Sequence, residues 1–294
     1  MSNNQSNVFV VKASKENLNE SMRRLLLNFS IPIHKKKIGI KLNLCDYRTR
    51  ESGATSDPLV VEALVNALKE QKAGTIYFIE NDASGMNADI AFRFLGFKKL
   101  AEKHNCVLVN LANKKWTQKE IEGTYFKKIH IPDLFSELDV LINHPKMKTH
   151  GLTKVTLGLK NLAFGCMKEK FKVKHHKRID ETIVDYVRVI RSNLTIVDGF
   201  IALEKWGPTH GYPKQLGLIV GGTDMIAVDS FCARLMGFNP QQISHIKKAY
   251  DAKIGEMKYN LEGDITENEM NNYSFEFDRF KHMINAYATK YGIL

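Results

Sequence analysis

The sequence lacks the cysteine patterns that would reveal a redox centre at once. Its 294 residues include four cysteines that lie far apart, namely Cys45, Cys106, Cys166 and Cys232. It contains neither a C-x-x-C pair nor a ferredoxin-type run of four cysteines, so we expect no cluster of that type in this chain. Most of these cysteines are expected to be buried thiols. Cys166 is set apart because nearby lysines would lower the pKa of its thiol, which leaves a chemical role open.

Long apolar segments are missing as well. No apolar run approaches the roughly 18–20 residues of a membrane-spanning helix, and the polar N-terminus has no apolar core of a secretory signal. We therefore expect a cytoplasmic protein without a membrane partner. Hydrophobic residues make up 44% of the chain and charged residues 26%, which is ordinary for a globular protein.

Acidic residues are scarce relative to basic ones, and the net charge is +11. The excess is concentrated in one segment. Between His144 and Arg178, ten lysines and arginines stand against the single acid Glu169, which contributes 10 − 1 = +9. A basic balance fits nucleic acid, an acidic membrane surface or small anionic ligands. Its concentration in one segment favours a binding site.

Strand and helix patterns alternate from about residue 36 to residue 252. Strands are predicted over residues 8–13, 38–44, 75–80, 106–111, 125–131, 139–142, 194–198 and 216–220. Helices are predicted over residues 15–29, 58–72, 87–95, 98–104, 155–164, 178–192, 225–236 and 239–252. This alternation predicts an α/β fold with a mostly parallel sheet and helices on both faces, and leaves a split into two subdomains open.

Three regions follow from this pattern. Residues 1–35 are predicted to form a strand and a helix packed on the body, and residues 36–252 to form the main α/β domain. Residues 253–294 form a C-terminal extension. It is expected to be irregular up to residue 274 and to end in an amphipathic helix over 275–291 whose apolar face packs on the body.

Polar residues follow nearly every predicted strand. Ligands of open α/β sheets bind beyond the carboxyl ends of the strands, so these polar groups are expected to converge. After Asn43, the next loop offers Arg48, Arg50 and Thr55 before a helix that begins at Pro58. A helix N-terminus with neighbouring arginines suits a phosphate or carboxylate. The alternative is a solvated loop before a capped helix.

The densest motif is Asn143–Gly151, NHPKMKTHG. Lys146, Lys148 and His150 alternate in it, so they share a face if the preceding strand continues. Such cations repel one another unless an anion lies between them. Clustering would also lower a lysine pKa and allow that lysine to act as a base or nucleophile. The alternative is a surface strand with a basic face.

Other candidate residues lie on segments that follow this motif. Lys160 and Asn161 are placed on a predicted helix, with Lys154 near its N-terminus, where a cation is unfavourable without a compensating anion. A later loop supplies Glu204 and His210 as acid–base groups.

The histidines match no standard zinc spacing. His144 and His150 are six residues apart, and the neighbours His175 and His176 point apart on any regular element. The sequence therefore assigns no metal site with confidence. Lone histidines are more often hydrogen-bonded structural groups or acid–base catalysts.

In their order along the chain, many short motifs resemble the domain of unknown function 362 family. They are IKLN (40–43), TSDP (55–58), INHPKMKTHG (142–151), LKNL (159–162), FGC (164–166), HH (175–176), TIVDG (195–199), GP (207–208), HG (210–211) and GTD with AVD (222–229). The resemblance spans roughly residues 36–250 and implies an association with iron–sulfur proteins, although this chain lacks the cysteine run.

A fainter similarity links the KMKTHG stretch and the following GLK helix to the lactate racemase family. That family uses histidine acid–base groups and a nickel–pincer cofactor attached to a lysine. The similarity implies a Lys/His site for a small carboxylate. It does not extend to the cofactor, and the sequence leaves the cofactor unknown.

The leading hypothesis is an enzyme that acts on a small anionic metabolite, carboxylate- or phosphate-bearing, in a specialised biosynthetic pathway. Its predicted catalytic residues are Lys146, Lys148, His150, His144, His210 and Glu204. Its predicted substrate-binding residues are Asn43, Arg48, Arg50, Thr55, Asn143, Lys160, Asn161 and His176.

Two other classes of function stay open, a redox or iron–sulfur accessory protein and a nucleic-acid-binding module that uses residues 144–178. The basic segment lacks the interleaved aromatics of a single-strand platform, so nucleic acid is the weaker alternative. The reaction class (acid–base, isomerase-like, bond-forming or redox) is not fixed by the sequence, and a homodimer is left open.

Overall fold

The computed structural model describes residues 6–291, except for the side chains at positions 286, 290 and 291. The strands are β1 Ser6–Lys12, β2 Ile38–Lys41, β3 Ile76–Glu80, β4 Val107–Asn110, β5 Trp116–Glu120, β6 Lys128–Pro132, β7 Val140–Asn143, β8 Lys146–His150, β9 Lys154–Thr156, β10 Leu194–Glu204, β11 Tyr212–Gly222 and β12 Tyr259–Gly263. The helices are α1 Leu18–Leu27, α2 Pro58–Glu70, α3 Ala88–Phe94, α4 Phe97–His104, α5 Leu134–Glu137, α6 Gly158–Gly165, α7 Ile179–Val189, α8 Met225–Leu235, α9 Ser244–Asp251 and α10 Arg279–Tyr291.

One ten-stranded sheet organises the chain. Its main path runs β12-β1-β11-β10-β7-β2-β3-β4, and β8 and β9 branch from β10. The pairs β10–β7, β7–β2, β2–β3 and β3–β4 are all parallel, whereas β11 is antiparallel to both of its neighbours. The prediction of a mostly parallel α/β sheet is therefore confirmed.

Helices cover both faces of this sheet because side chains alternate along each strand. In β7, Val140 and Ile142 point into a core formed with α1–α4, while Leu141 points into a second core formed with α6–α9. Each face thus has its own hydrophobic core. At roughly 1.5–3 kcal/mol for each fully buried aliphatic side chain, these two cores drive folding.

The order of connections reverses between β7 and β2. From β2 the chain moves outward to β3 and β4, and then returns to β7 and β10 on the other side of β2. Such a reversal leaves a crevice beyond the carboxyl ends of the strands, since the flanking connections leave on opposite faces.

Several elements differ from the predictions. Residues 253–274, expected to be irregular, contain β12, which pairs with β1 through backbone hydrogen bonds that leave little trace in the side-chain pattern. Residues 154–156 form β9, so the helix predicted from residue 155 begins only at Gly158. The hairpin β5–β6 includes a strand that was not predicted, because residues 116–120 are mostly polar.

The orientation of α10 is also different from the prediction. Its apolar residues Phe280, Met283 and Ile284 are 68%, 60% and 48% exposed. The helix instead packs on the body through its other side, where His282 Nδ1 lies 2.9 Å from the Gly151 carbonyl oxygen. Within residues 6–291, no helix has the length and apolar character needed to cross a membrane.

Candidate functional site

A cleft of about 270 Å³ lies at the carboxyl ends of β2 and β3, beside the crevice where the connections reverse. Its walls come from the loop after β2, the end of β3, helix α6 and the helical turn Lys172–Arg178. The charged or titratable side chains on its walls are Lys41, Cys45, Glu80, Lys160, Lys172 and His176. The lysines outnumber the one carboxylate, so the cleft is electropositive.

A buried ion pair forms the floor of the cleft. Lys41 ends β2 and Glu80 ends the adjacent parallel strand β3, so their side chains meet, and Lys41 Nζ donates to Glu80 Oε1. The backbone N–H of Leu44 also donates to Glu80, at 2.7 Å. Gly165 permits this arrangement, since a Cβ there would lie 2.6 Å from Lys41 Nζ. The pair is satisfied internally.

A second buried ion pair lies behind the cleft. Lys146 Nζ is 2.8 Å from Asp198 Oδ2, and both side chains are fully buried. The contact is an ion pair without hydrogen-bond alignment. Asp198 also accepts the backbone N–H of Asp57 at 3.0 Å. Burial and the nearby Asp198 raise the pKa of Asp57, while Arg50 Nε donates to Asp57 at 2.8 Å.

Lys148 and Cys45 meet at the edge of the cleft. Lys148 Nζ donates to the Ala54 carbonyl oxygen at 2.6 Å and to Cys45 Sγ at 3.1 Å. Lys148 alternates with Lys146 along β8, as the sequence predicted, but the two ammonium groups have different partners. No exogenous anion is needed to hold either of them.

His150 is a neutral histidine with an assigned tautomer. Its Nδ1 accepts the backbone N–H groups of Leu152 and Thr153, at 3.1 and 3.3 Å, so its proton is on Nε2. Burial, with Lys160 and Lys148 nearby, holds the pKa of His150 well below its usual range. The imidazole can donate from Nε2 but does not carry a charge at neutral pH.

Lys160 differs from the other lysines around the cleft. No hydrogen bond or ion pair to Lys160 occurs within the described part of the chain. Its Nζ lies 5.0 Å from the ring centre of Phe164, one turn further along α6. Burial, and then Lys148, lower the pKa of Lys160 to about 7. Lys160 is therefore present in both its protonated and its neutral form near pH 7.

The helical turn Lys172–Arg178 closes one side of the cleft. Lys172 Nζ donates to the Asp82 carbonyl oxygen at 3.2 Å, and burial lowers its pKa to about 8 although Glu80 opposes the shift. His176 lies near Phe164, with ring centres 6.3 Å apart. Burial and Lys160 lower the pKa of His176 to about 4, so this histidine is neutral at pH 7.

Helix α6 is held in place by a carboxylate and an amide. Asp229 accepts the backbone N–H groups of Gly158 and Leu159, at 2.7 and 2.9 Å. Asn161 donates to Asn143 Oδ1 at 2.9 Å, which ties α6 to the end of β7. Asp229 is buried, and burial raises its pKa to about 7. These contacts fix the position from which Lys160 reaches the cleft.

His144 lies deeper than the cleft surface, whereas Asn43 lines the cleft. His144 is fully buried, and its Nδ1 lies 2.8 Å from the Ile196 carbonyl oxygen, so it donates there. Its Nε2 has no hydrogen-bond partner within residues 6–291. Burial lowers the pKa of His144, which keeps it neutral. Asn43 Oδ1 accepts the backbone N–H of Lys146 at 3.3 Å.

Of the fourteen residues proposed from the sequence, Asn43, Lys160, Asn161 and His176 line the cleft and the other ten do not. Five of these ten lie in the loop after β2 or in the segment from the end of β10 to the start of β11. Arg48 is exposed and pairs with Asp46 at 2.8 Å, Glu204 pairs with Lys214 at 3.2 Å, and His210 is exposed. The remaining two are Arg50, which donates to Asp57, and Thr55, which donates to the Arg48 carbonyl oxygen at 2.8 Å. Asp57 caps α2 by accepting Leu59 N–H, so this helix N-terminus has an internal carboxylate.

Two expectations about charge are wrong. The Cys166 thiol is fully buried, and burial raises its pKa to about 12 because the loss of solvation outweighs the attraction of Lys41. Lys154 is in β9 and not at the start of α6, and it donates to the Gln242 carbonyl oxygen at 3.0 Å. The start of α6 is occupied by the Asp229 carboxylate, so it gives no indication of a bound anion.

The sequence-based reasoning missed Lys41, Glu80 and Lys172. A signal for the first two was present: a lysine inside the apolar run IGIKLNL, and a glutamate at the end of the apolar run TIYFIE. Charged residues are rarely buried unless paired, so two such residues on neighbouring strands indicate an ion pair. For Lys172 no comparable signal exists, because it is one of many lysines in its segment.

The donor atoms of residues 6–291 do not assemble a metal site. Within the described residues, no group of three or more His, Cys, Asp or Glu side chains is placed to hold one ion. His150 Nδ1 and His144 Nδ1 are engaged by the backbone. The donor set of the described residues therefore does not fit a metal ion held by protein side chains.

The fold and the cleft define an α/β protein with an electropositive site at the carboxyl edge of its sheet. The sequence profile of the family described as domain of unknown function DUF362 matches residues 38–234. The chain belongs to this family, which confirms the resemblance found in the short motifs.

A thylakoid-associated protein of Synechocystis is 28% identical over 190 residues, which are 62% of this chain and 58% of that protein. The lactate racemase apoprotein of Thermoanaerobacterium thermosaccharolyticum superposes with a TM-score of 0.50 at 12% identity, over 78% of this chain and 57% of the other. A Thermotoga maritima protein gives a TM-score of 0.45 at 12% identity, over 81% and 59%. The chain thus spans little more than half the length of these proteins. The likeness to lactate racemase concerns the fold alone.

Proposed function

We propose that this protein is an enzyme that binds a small carboxylate- or phosphate-bearing metabolite in the cleft. The observation that carries the proposal is the unpaired Lys160 side chain, which is partly buried in a cleft where Lys172 adds a second cation. A buried ammonium is costly unless a counter-charge accompanies it. An anionic ligand would supply that charge and would gain charge-assisted hydrogen bonds.

The same lysine can also take part in proton transfer. With a pKa of about 7, Lys160 exists in both protonation states near neutral pH, the condition under which acid–base catalysis is most effective. His176 is neutral and lies close to Lys160. We assign Lys160 as the acid–base group and His176 as its neutral partner. Lys172 and Asn161 serve to orient the ligand.

The lysines and the histidine of the KMKTHG motif have a supporting role in the proposed function. Lys146 and Lys148 already have partners within the chain. We propose that they hold the wall of the cleft and raise its positive potential, and that His150 donates from Nε2. The cytoplasmic location expected from the sequence stays part of the proposal.

Binding measured on the intact chain tests this function. Calorimetric titration or native mass spectrometry with a panel of small carboxylates and phosphates should detect at least one ligand. Lys160→Gln should weaken its binding by roughly 10- to 100-fold, since a hydrogen bond to a charged group contributes about 1.5–3 kcal/mol.

Lys168→Gln is the matched control, because Lys168 belongs to the same basic segment but is exposed and does not line the cleft. Equal losses in the two variants would mean that binding reflects general surface charge, and the proposed site would then be wrong.

A further inference from the structure

We propose that the substrate is a small 2-oxo acid and that Lys160 forms an imine with its carbonyl carbon. This inference rests on the proposed function, because it names the ligand class of the same cleft. It replaces the acid–base role of Lys160 with that of a nucleophile.

The first support is the hydrogen-bonding state of the lysines. Lys41 donates to Glu80, Lys146 pairs with Asp198, and the remaining two, Lys148 and Lys172, donate to backbone carbonyl oxygens. Each of these four side chains thus has a partner within the chain. Lys160 has no such acceptor within the described residues. It is the amine whose lone pair can be released without breaking an existing contact.

The second support is the difference in protonation between the cleft lysines Lys160 and Lys172. Lys160 has a pKa of about 7, so a substantial fraction is neutral amine at physiological pH, and a neutral amine is the nucleophile. Lys172 has a pKa of about 8, so a larger fraction of it is protonated at pH 7. A 2-oxo acid fits both, since its carboxylate can pair with Lys172 while its carbonyl meets Lys160.

The size and lining of the cleft fit the same class. At about 270 Å³ the cleft is smaller than the roughly 300–1,000 Å³ pockets of drug-sized ligands. The Phe164 ring offers an apolar surface for a short side chain, and Asn161 is polar and fixed by its bond to Asn143.

The step itself is balanced. The Nζ lone pair attacks the carbonyl carbon, and the carbonyl π pair moves to oxygen. One proton passes from nitrogen to that oxygen to give a carbinolamine, with neutral His176 as the nearby group able to relay it. A second proton, delivered from solvent, lets this oxygen leave as water while the nitrogen lone pair forms the C=N bond, and the nitrogen keeps its remaining proton. No oxidant or reductant is consumed. The protonated imine then withdraws electrons from the adjacent carbon.

Reductive trapping tests the inference. The intact protein is incubated at pH 7 with pyruvate or 2-oxobutyrate and sodium cyanoborohydride, and its mass is measured. The expected product carries one ligand per chain, less one oxygen, as a secondary amine on Lys160 found by peptide mapping. Lys160→Arg should fall to the labelling seen without the oxo acid, while Lys168→Arg should label like the wild type.

The outcomes separate the two proposals. Binding of the oxo acid without trapping at Lys160, or labelling spread over exposed lysines, would overturn the imine and leave the anion site intact. Binding of other carboxylates or phosphates without any 2-oxo acid would also overturn it. If no small anion binds at all, the proposed function fails together with the inference.

Discussion

Two kinds of lysine lie in or near the cleft, and they differ in how their positive charge is compensated. Lys41 and Lys146 are buried with a carboxylate partner each, Glu80 and Asp198. Lys160 is partly buried without one, and its pKa is lowered instead. A protein can compensate a buried ammonium either with an opposite charge or by loss of the proton. A lysine that is compensated by an opposite charge has a structural role. A lysine that has lost its proton can act as a base or a nucleophile.

The largest effect should come from breaking a paired lysine. Lys146→Met leaves the fully buried Asp198 carboxylate without its partner and should lower the free energy of unfolding by about 3–5 kcal/mol. Urea unfolding followed by circular dichroism measures this. Adding Asp198→Asn should recover part of the loss.

The comparison predicts a small effect for the same substitution at the unpaired position. Lys160→Met removes no internal ion pair and should change the stability by less than about 1 kcal/mol. Similar losses in Lys146→Met and Lys160→Met would show that pairing does not distinguish the two kinds.

An effect between these two is expected at the anchor of α6. Asp229→Ala leaves the Gly158 and Leu159 N–H groups without their acceptor, which should cost about 1–3 kcal/mol. Because α6 carries Lys160, the ligand affinity should fall as well. An unchanged affinity alongside the lost stability would mean that the helix position does not matter for the cleft.

The pH dependence of ligand affinity tests the role of the unpaired Lys160. The ammonium form of Lys160 attracts an anion, so affinity should be full below a pH of about 7 and should fall as pH rises through the pKa values of about 7 and about 8 of Lys160 and Lys172. Titrations from pH 6 to pH 9 measure it. Lys160→Arg, which stays charged throughout, should remove the part of the decrease near pH 7. A flat profile in the wild-type protein would contradict the role of Lys160.

Much of this architecture could be predicted from the sequence, and the reasons are physical. An apolar run predicted β7, and the Ser56-Asp57-Pro58 start signal with helical spacing predicted α2, both within a few residues, because local sequence patterns determine such elements. Of the polar residues at strand ends, Asn43 and Asn81 line the cleft, whereas Asn110 and Glu204 do not. The apolar runs around Lys41 and Glu80 indicate that these charges are buried and paired, but which carboxylate pairs with which lysine depends on which strands become neighbours. The outward apolar face of α10 could not be predicted either, because periodicity identifies a face but not its orientation.

The smallest effect should come from Arg48, which the sequence placed in the site and the structure places outside the cleft. Arg48 is exposed and pairs with Asp46 two residues away, and exposed ion pairs contribute at most about 1 kcal/mol. Arg48→Ala should therefore leave both the unfolding midpoint and the affinity for the cleft ligand within the error of calorimetry. A clear loss of affinity would show that the loop after β2 bends over the bound ligand. Arg48 would then be a ligand-binding residue despite its surface position, and the anion would be held by an exposed cation as well as by buried ones.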